Sequence, residues 1–578
     1  MKPHWWQTAV FYQIYPRSFA DGNGDGIGDI GGMIDRLDYL QDLGIDAVWL
    51  SPHYPSPLFD CGYDVADYTG VAPEYGTLDD FKKFLAGAHR RGIRVILDLV
   101  LNHTSHLHPW FLESRSGRSH PKRNWYVWRS GNGGGPPNNW LSVFGGSAWE
   151  RDAATGEYYY HFFFKEQPDL NWRNPEVKKA MFDAVRFWLD LGVDGFRLDA
   201  IGTIFENPAE PPHTATQTQI ELHRMARQAK TEAEWKAIGE QWRLMYEHQA
   251  DRPELHELMQ ELRALVDQYP CAVLVGETED IAYHGNGHDE LHMVFNFPLM
   301  KTPRLTPAWV RENQTSRLTA LPDGAWPCNT LGNHDSSRVY NRYGDGRNDD
   351  TLARISLALM LTLKGTPFLY NGEEIGMTDL MLNDLGQFKD NAGVWAHTIE
   401  TEHLGTPPAE ALDVAAKATR DRCRTPLQWA NAPNAGFCPA HVRPWLPVHP
   451  NYAEGVNVSD EDGRPDSMLN FYRRMLRLRR QTPALVTGDY QPVDEASGDI
   501  LAFMRRATDG QACLVALNMS ERARRLSTGL GGRIECLYST HESRAAENAI
   551  GMIRLRPFEI YIGVPLSPER GRDRKSVV

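Results

Sequence analysis

Short apolar runs that end in charged residues alternate with helical stretches along most of this chain. The clearest run, IRVILDLVL at 93–101, is almost wholly apolar, as a strand covered on both faces has to be. The helix predicted before it, 77–91, opens on a Thr and an Asp at capping-box spacing and is followed by a glycine. Strands that alternate with helices form parallel sheets. Over this length, the alternation favours a closed barrel over an open sheet.

The same alternation continues to residue 370. A second helix is predicted at 175–191, where Asn174 offers the N-cap and Gly192 the stop. Further strands are predicted at 46–50, 193–199, 272–275, 326–329 and 367–370. A barrel of this kind takes roughly 250 residues. The 578 residues of the chain therefore leave room for two or three structural units.

Three segments interrupt the alternation, and a fourth replaces it. Residues 104–170 predict a loop-rich B domain, 206–265 a helical insertion and 376–445 an irregular insertion. Beyond 485 the pattern becomes short strands separated by turns, at 500–505, 512–518, 534–538 and 558–564. The predicted fold class is α/β: a (β/α)₈ TIM barrel built from 1–103 and 171–484, with a C-terminal antiparallel β-sandwich at 485–566. The basic end, 567–578, predicts a disordered tail.

Charge and composition exclude several classes of protein. The net charge of −14 argues against a nucleic-acid partner, because phosphates would be repelled. We expect no membrane association, because no run of 18 apolar residues and no apolar leader segment occurs. The seven cysteines are scattered and show no CxxC pair. These features predict a cytoplasmic protein, either a monomer or a homodimer.

The segment GFRLDA at 195–200 places two charges on one face of a strand. Arg197 and Asp199 alternate with apolar residues, so both would point into the barrel. The carboxyl ends of barrel strands are where catalytic groups lie, and a guanidinium keeps a neighbouring carboxylate ionised. A purely structural ion pair explains this motif equally well.

Three other strand ends carry similar groups. AVLVGE ends at Glu277, LGNHD contains His334 and Asp335, and DLVLNH ends at His103. Four strand ends that all offer Asp, Glu, His or Arg are difficult to explain as packing. Two carboxylates flanking a scissile bond are the groups that hydrolyse glycosides.

These motifs together resemble a known family. DLVLNH (98–103), GFRLDA (195–200), VGE (275–277) and NHD (333–335) resemble the four signature regions of the α-amylase clan. QPDLNW (167–172), the N-terminal 5–30 and RDRCRTPLQW (420–429) are similar to the oligo-1,6-glucosidase and α-glucosidase subfamily. The resemblance extends over about residues 5–565. It implies a small oligosaccharide or α-glucoside as substrate and no organic cofactor.

The resemblance also implies a role for each matching residue. Asp199 would be the nucleophile, Glu277 the proton donor and Asp335 the carboxylate that grips the 2- and 3-hydroxyls. The residues implied to bind the same glucose are Asp60, Tyr63, His103, Arg197, His334 and Arg424, with Phe144 and Phe163 as walls of the pocket. We expect Arg424 to pair with Asp60. This pair would close the far side of the pocket and favour removal of one terminal glucose.

Linkage and acceptor are less constrained. In the subfamily, a small residue after the nucleophile, here Ala200, resembles enzymes that cut α-1,4 rather than α-1,6 bonds. The alternative activity is a transglucosidase, in which a sugar resolves the glycosyl enzyme. A sucrose isomerase is disfavoured, because 301–312 lacks the Arg-rich motif of those enzymes. A non-catalytic transporter subunit is disfavoured because the three carboxylates are kept and no membrane span is found.

The segment DGNGDGIGD at 21–29 resembles a calcium loop. Asp21, Asn23 and Asp25 alternate as the first ligands of an EF-hand do, and the Ile27 carbonyl and Asp29 would complete the set. A Gly/Asp turn without metal is the alternative. We expect a structural Ca²⁺, with Mg²⁺ as the alternative ion, and assign Asn102 no metal.

Overall fold

An eight-stranded parallel sheet forms the centre of the molecule. The computed structural model describes residues 3–493, 497–541 and 547–566. The barrel strands are Phe11–Ile14, Ala47–Leu50, Arg94–Val100, Gly195–Asp199, Val273–Gly276, Met293–Val294, Cys328–Thr330 and Thr366–Tyr370. Each strand but the sixth pairs in parallel with the next strand in chain order, and the eighth pairs with the first. A parallel bridge from Phe295 to Cys328 joins the sixth strand region to the seventh strand and closes the barrel.

Helices follow most strands and pack around the barrel. They are Ile30–Asp35 and Leu37–Leu43, Leu78–Arg90, Pro175–Asp190, Glu254–Val266, Pro307–Ala320, Asp349–Thr362 and Met468–Gln481. The predicted helix 77–91 is confirmed as Leu78–Arg90, and the Thr77 side chain accepts a hydrogen bond from the Asp80 backbone N–H. The fifth and sixth strands are joined by the short 3₁₀ turn Ile281–His284 rather than by a full helix.

Two barrel strands are absent from the sequence prediction. Phe11–Ile14 is a four-residue strand, and Met293–Val294 is only two residues long. Both are fully buried. Runs this short carry little periodicity, and the barrel neighbours supply the pairing that makes them strands.

The insertions follow directly after barrel strands, so they begin at the carboxyl ends of those strands. The segment after the third strand contains the helix Pro109–Arg115 and a sheet of Trp128–Arg129, Trp149–Arg151 and Tyr158–Tyr160. The fourth strand is followed by Gln219–Gln228 and Glu232–Tyr246, and the eighth by Asn391–Thr398, the π-helix Ile399–His403 and Pro408–Ala418. Arg227 joins two of these segments through Glu400, at 2.6 Å.

The C-terminal region consists of two antiparallel sheets. The larger has the strands Asp489–Val493, Ile500–Arg506, Ala512–Asn518, Ile560–Pro565, Arg533–Ser539 and Glu547–Ala549 in that spatial order, and Arg524–Ser527 pairs with Met552–Leu555. Leu526 and Ile553 of the pair share an apolar core with Ile500 and Leu514 of the larger sheet. The predicted tail at 567–578 lies outside the described residues. Among the described helices, none is both long and apolar enough to cross a membrane.

Candidate active site

Arg197 gathers three carboxylates at the carboxyl ends of the third, fourth and fifth strands. Its Nη1 lies 2.7 Å from Asp98 Oδ1 and 2.7 Å from Asp199 Oδ1, and its Nη2 lies 2.7 Å from Glu277 Oε2. The pairing of the strands places Asp98 opposite Arg197 and Val100 opposite Asp199. The Arg197 side chain is only 1% exposed, whereas those of Asp199 and Glu277 are 10% and 23% exposed. Two carboxylates therefore reach the open space above the barrel while their shared cation does not.

The excess of carboxylates governs the ionisation of this group. Burial raises the pKa of Asp199 well above its ordinary value, and Glu277 and Asp98 raise it further against the opposing charge of Arg197. Burial also raises the pKa of Asp98 to about 6, although Arg197 opposes this shift. One cation thus serves three acids, which favours retention of a proton within the group.

A second cluster surrounds Asp335 and contains two arginines. Asp335 Oδ1 lies 2.5 Å from Arg424 Nη2 and 3.7 Å from Arg420 Nη1. Burial alone would raise the pKa of Asp335, but His334, Arg424 and Arg420 outweigh it and hold the pKa well below its usual range. The Asp335 side chain is 31% exposed, so an ionised carboxylate faces the pocket.

The predicted pairing of Asp60 with Arg424 is wrong. Asp60 Oδ1 lies 2.7 Å from Arg420 Nη2, which also contacts Asp390 at 2.7 Å. Arg424 is fully buried and donates instead to Asp335 and, at 2.8 Å, to the His334 carbonyl. Both arginines belong to one motif, and the 3₁₀ turn Arg420–Cys423 directs them to different carboxylates.

The predicted sugar-binding residues Tyr63, His334 and His103 lie between the two clusters. Tyr63 Oη lies 2.5 Å from His334 Nε2 and donates to Asp98 at 3.0 Å. Burial lowers the pKa of His334 well below its ordinary value and that of His103 to about 4. Both imidazoles are therefore neutral near pH 7. Gln167 Nε2 joins His103, at 2.9 Å, to Asp60, at 3.0 Å.

Aromatic side chains stand beside the second cluster. The Phe144 ring stacks on the Phe164 ring with centroids 4.0 Å apart, and the Arg420 guanidinium lies 5.8 Å from the centroid of the Phe144 ring. The Phe163 ring meets His103 edge-on at 5.1 Å. Phe144 thus adjoins Arg420 of the second cluster, and Phe163 adjoins His103.

Ala200, the residue after Asp199, has a left-handed backbone with φ 40°. That conformation is uncommon for a residue with a Cβ. It directs the Ala200 N–H to Glu277 Oε2, at 2.9 Å. The backbone turn after Asp199 thus holds the second carboxylate close to the first.

The segment 21–29 has oxygen atoms that suit a metal ion, but in this structure they accept hydrogen bonds from within the segment and from the residues next to it. Asp21 accepts from the backbone N–H groups of Gly24 and Gly26, and Asp29 accepts from Gly22 and Gly32. Asp25, in turn, accepts from Ile27 N and Asn23 Nδ2. In the part of the chain that the structure describes, no group of three or more His, Cys, Asp and Glu side chains is placed to hold a metal ion. Hard oxygens fit Ca²⁺ chemically. Calcium binding here stays a prediction.

Four residues of the site were missed from the sequence: Asp98, Gln167, Asp390 and Arg420. The first, second and fourth lie inside motifs that the sequence analysis quotes, so the motif was noticed but the residue was not. Asp98 lies opposite Arg197 on the neighbouring strand, and Val100, two residues further on, lies opposite Asp199. Because side chains alternate with a period of two along a strand, this pattern could have placed Asp98 on the same face as Arg197. Asp390 lies in the irregular insertion, and nothing local in the sequence marks it.

Comparison with known proteins agrees with this geometry. The family model for the alpha amylase catalytic domain matches residues 13–488. The chain belongs to the alpha-amylase family. With paired carboxylates at the strand ends, it is a glycoside hydrolase.

Individual relatives of this family member match over nearly the full chain. An oligo-1,6-glucosidase of Parageobacillus thermoglucosidasius is 39% identical, over 97% of this chain and 98% of its own length. A probable alpha-glucosidase of Rhizobium meliloti (strain 1021) is 40% identical, over 90% of both chains. Among solved structures, the trehalulose synthase MutB of Pseudomonas mesoacidophila MX-45 is 36% identical, covers 98% of this chain and 100% of its own, and gives a TM-score of 0.86.

Proposed function

We propose that this glycoside hydrolase is a retaining, exo-acting α-glucosidase that releases terminal α-linked glucose from short oligosaccharides or α-glucosides. The observation that carries the proposal is the shared guanidinium of Arg197, which holds Asp199 and Glu277 side by side at 2.7 Å each. Retaining glycosidases need one carboxylate to attack and a second, about 5–5.5 Å away, to move a proton.

The chemistry then proceeds in two displacements. The Asp199 carboxylate attacks the anomeric carbon as Glu277 gives its proton to the departing glycosidic oxygen, and a β-glucosyl ester forms on Asp199. Glu277, now ionised, takes a proton from water, whose oxygen attacks the same carbon and frees Asp199. Asp335 stays ionised and accepts hydrogen bonds from sugar hydroxyls.

The ion pairs on the far side of the pocket support exo action. Arg420 ties Asp60 to Asp390, and Gln167 ties Asp60 to His103. Side chains held this way block a sugar chain from extending past the terminal glucose. They also present charged and amide groups to its distal hydroxyls.

The direct test uses p-nitrophenyl α-glucoside. Nitrophenol and glucose should appear together, and proton NMR of the first product should show α-glucose before mutarotation. No nitrophenol would overturn the proposal, and β-glucose as first product would overturn the retaining mechanism.

Linkage preference is proposed on Ala200 alone. Its methyl group leaves room beside the nucleophile, and we propose a preference for α-1,4-linked substrates such as maltose. The oligo-1,6-glucosidase of P. thermoglucosidasius carries the opposite preference in its name. Comparing kcat/KM for maltose and isomaltose decides between them, and a higher value for isomaltose would refute the preference.

Transglucosylation is the second candidate activity. The match to the trehalulose synthase MutB favours it, because that protein is named as a synthase rather than as a glucosidase. Nitrophenol released well ahead of glucose would identify transfer.

Two further predictions accompany the proposed activity. We propose Ca²⁺ binding at 21–29 on donor chemistry alone, since the side chains would have to exchange backbone N–H partners for the ion. Saturating Ca²⁺ should raise the melting temperature by about 2–4 °C relative to EDTA, with Mg²⁺ less effective, and an unchanged temperature would refute it.

We also propose a cytoplasmic location, supported by the buried thiols of Cys61, Cys328, Cys423 and Cys513.

A further inference from the structure

Gln13 is a buried polar side chain on the first barrel strand, Phe11–Ile14. Side chains alternate along a strand, and Phe11, two residues earlier, belongs to a core cluster built largely from barrel-strand residues. Gln13 lies on the same face of the strand and is only 1% exposed. An amide buried in such a core costs free energy unless its polar groups are hydrogen-bonded. The partners of the Gln13 amide therefore decide what it can do.

The amide nitrogen of Gln13 contacts two acceptors. Nε2 lies 2.9 Å from Ser51 Oγ and 2.7 Å from Nδ1 of His334. An amide nitrogen carries two hydrogens and cannot accept, so it donates one hydrogen to each partner. Among the described residues, none hydrogen-bonds to Gln13 Oε1. Because Nδ1 of His334 accepts, the single N–H of the neutral imidazole is on the other nitrogen, Nε2.

The groups around Nε2 of His334 favour the same tautomer. Asp335 Oδ2 lies 3.4 Å away, and this carboxylate is held ionised, so it attracts an N–H and repels a lone pair. Tyr63 Oη lies 2.5 Å away and donates its own hydrogen to Asp98 Oδ2, at 3.0 Å, which leaves its lone pairs for His334. A chain of hydrogen bonds therefore runs from Gln13 through His334 and Tyr63 to Asp98.

Packing holds the imidazole of His334 in place. The rings of Tyr15 and Tyr63 lie nearly parallel to it, with centroids at 5.8 and 5.4 Å, and the Trp49 indole meets it edge-on at 5.9 Å. The backbone is held as well, because Arg424 Nε donates to the His334 carbonyl at 2.8 Å. With the ring fixed, the partner of Nδ1 decides which nitrogen carries the hydrogen.

We propose that Gln13 is a positioning residue, which fixes His334 as the Nε2–H tautomer so that this imidazole donates a hydrogen bond into the glucose pocket. Gln13 acts only through the imidazole. A neutral ring with its hydrogen on Nδ1 would turn a lone pair towards Asp335 and the sugar hydroxyls, and the pocket would lose a donor. The role in catalysis rests on the proposed α-glucosidase activity, whereas the tautomer does not.

Neutron diffraction tests the tautomer directly. In crystals of the wild-type protein exchanged into D₂O, we expect deuterium on His334 Nε2 and none on Nδ1. The two deuterium atoms of the Gln13 amide should point to Ser51 Oγ and His334 Nδ1. Deuterium on Nδ1 with a bare Nε2 would overturn the inference. This measurement needs no activity, so its result is independent of the proposed function.

Steady-state kinetics test what the tautomer does. Gln13→Met keeps the length of the side chain but cannot donate, so His334 loses the partner that selects its tautomer. kcat/KM for p-nitrophenyl α-glucoside should fall about tenfold, as expected for the loss of one well-placed hydrogen bond. Ser51→Ala removes only the other acceptor of the same amide and should keep kcat/KM within about twofold. Equal values in the two variants would overturn the positioning role.

Gln13→Glu separates positioning from packing. A carboxylate at this place can only accept from Nδ1, so Nε2 of His334 carries a hydrogen only while the ring or the new carboxyl group is protonated. The ratio of kcat/KM between this variant and the wild type should therefore fall as the pH rises through the pKa of that pair. The titratable and charged groups that face the ring are the same in both proteins: Asp335, Arg197, Arg420, Arg424, Tyr15 and Tyr63.

The outcomes separate the two proposals. A ratio that stays constant with pH would show that Gln13 contributes only packing and would overturn the inference. A wild-type protein that cleaves no α-glucoside would overturn the proposed function, and the neutron result on the tautomer would stand by itself.

Discussion

Two arginine-centred clusters share one pocket and differ in their ratio of cations to carboxylates. In the nucleophile cluster, Arg197 alone serves Asp98, Asp199 and Glu277. In the sugar-gripping cluster, Arg420 and Arg424 serve Asp60, Asp335 and Asp390.

The ratio separates the pKa values of similar side chains. Burial raises the pKa of Asp199 well above its ordinary value, with only one cation to oppose it. Burial would raise the pKa of Asp390 as well, but Arg420 and Arg424 bring it well below the ordinary range. Asp335 behaves like Asp390. The first cluster can therefore keep and move a proton, while the second stays ionised and binds.

The largest effect is expected from removing the nucleophile. Asp199→Ala should lower kcat for p-nitrophenyl α-glucoside by roughly four orders of magnitude or more. Added azide should restore nitrophenol release and yield β-glucosyl azide, because the anion can occupy the space of the lost carboxylate. A loss below about a hundredfold, or a rescue product of α configuration, would assign the attack to another group.

Loosening the second cluster should reduce both stability and binding. Arg420→Met leaves Asp60 and Asp390 without their shared cation, and breaking a buried ion pair costs about 3–5 kcal/mol of unfolding free energy. Misplacement of Asp60 should lower kcat/KM by roughly a hundredfold. Urea unfolding and steady-state kinetics measure the two effects.

Arg422→Met provides the matched control for that variant. Arg422 lies two residues away in the same motif and pairs with Asp379, at 3.3 Å, outside both clusters. It should keep kcat/KM within about threefold. Equal losses in the two variants would show that the motif acts only through folding.

The pH profile of activity should distinguish the two clusters, because the pKa of Asp199 is raised and that of Asp335 is lowered. Asp199 attacks only as a carboxylate, so activity is present above its pKa and lost as pH falls through it. Because that pKa is raised, the acid limb of kcat/KM should lie above about 4, the value of an ordinary Asp. Asp335, whose pKa is lowered, contributes no limb in the assay range. An acid limb at or below the pKa of an ordinary Asp would contradict the raised pKa of Asp199 in the nucleophile cluster.

The smallest expected effect is a shift, along the pH axis, of the acid limb of the kcat/KM profile. Asp98→Asn removes a negative charge that raises the pKa of Asp199, so the acid limb should move to lower pH by up to about one unit. Asp390→Asn removes a carboxylate of the other cluster and should leave the limb in place. A shift of equal size in both variants would show that the two clusters titrate together.

Local pattern was sufficient for three of the four members of the nucleophile cluster, all but Asp98. Arg197 and Asp199 alternate on one strand, and Glu277 directly follows another, so period and burial predict that they point into one barrel. The two-residue strand Met293–Val294 carried no such pattern, and the barrel is complete only when its neighbours are in place.

The sequence by itself determined the alternating barrel, the strand ends that carry carboxylates and the family of the chain, because each depends on residues close together along the chain. Only the tertiary structure decided that Asp60 pairs with Arg420 rather than Arg424, and that Asp390 shares the same arginine. The contact between Asp60 and Arg420 joins residues 360 positions apart, and the direction in which each side chain points is set by how the segments pack. A motif indicates that two arginines are present, but the fold decides which carboxylate each one neutralises.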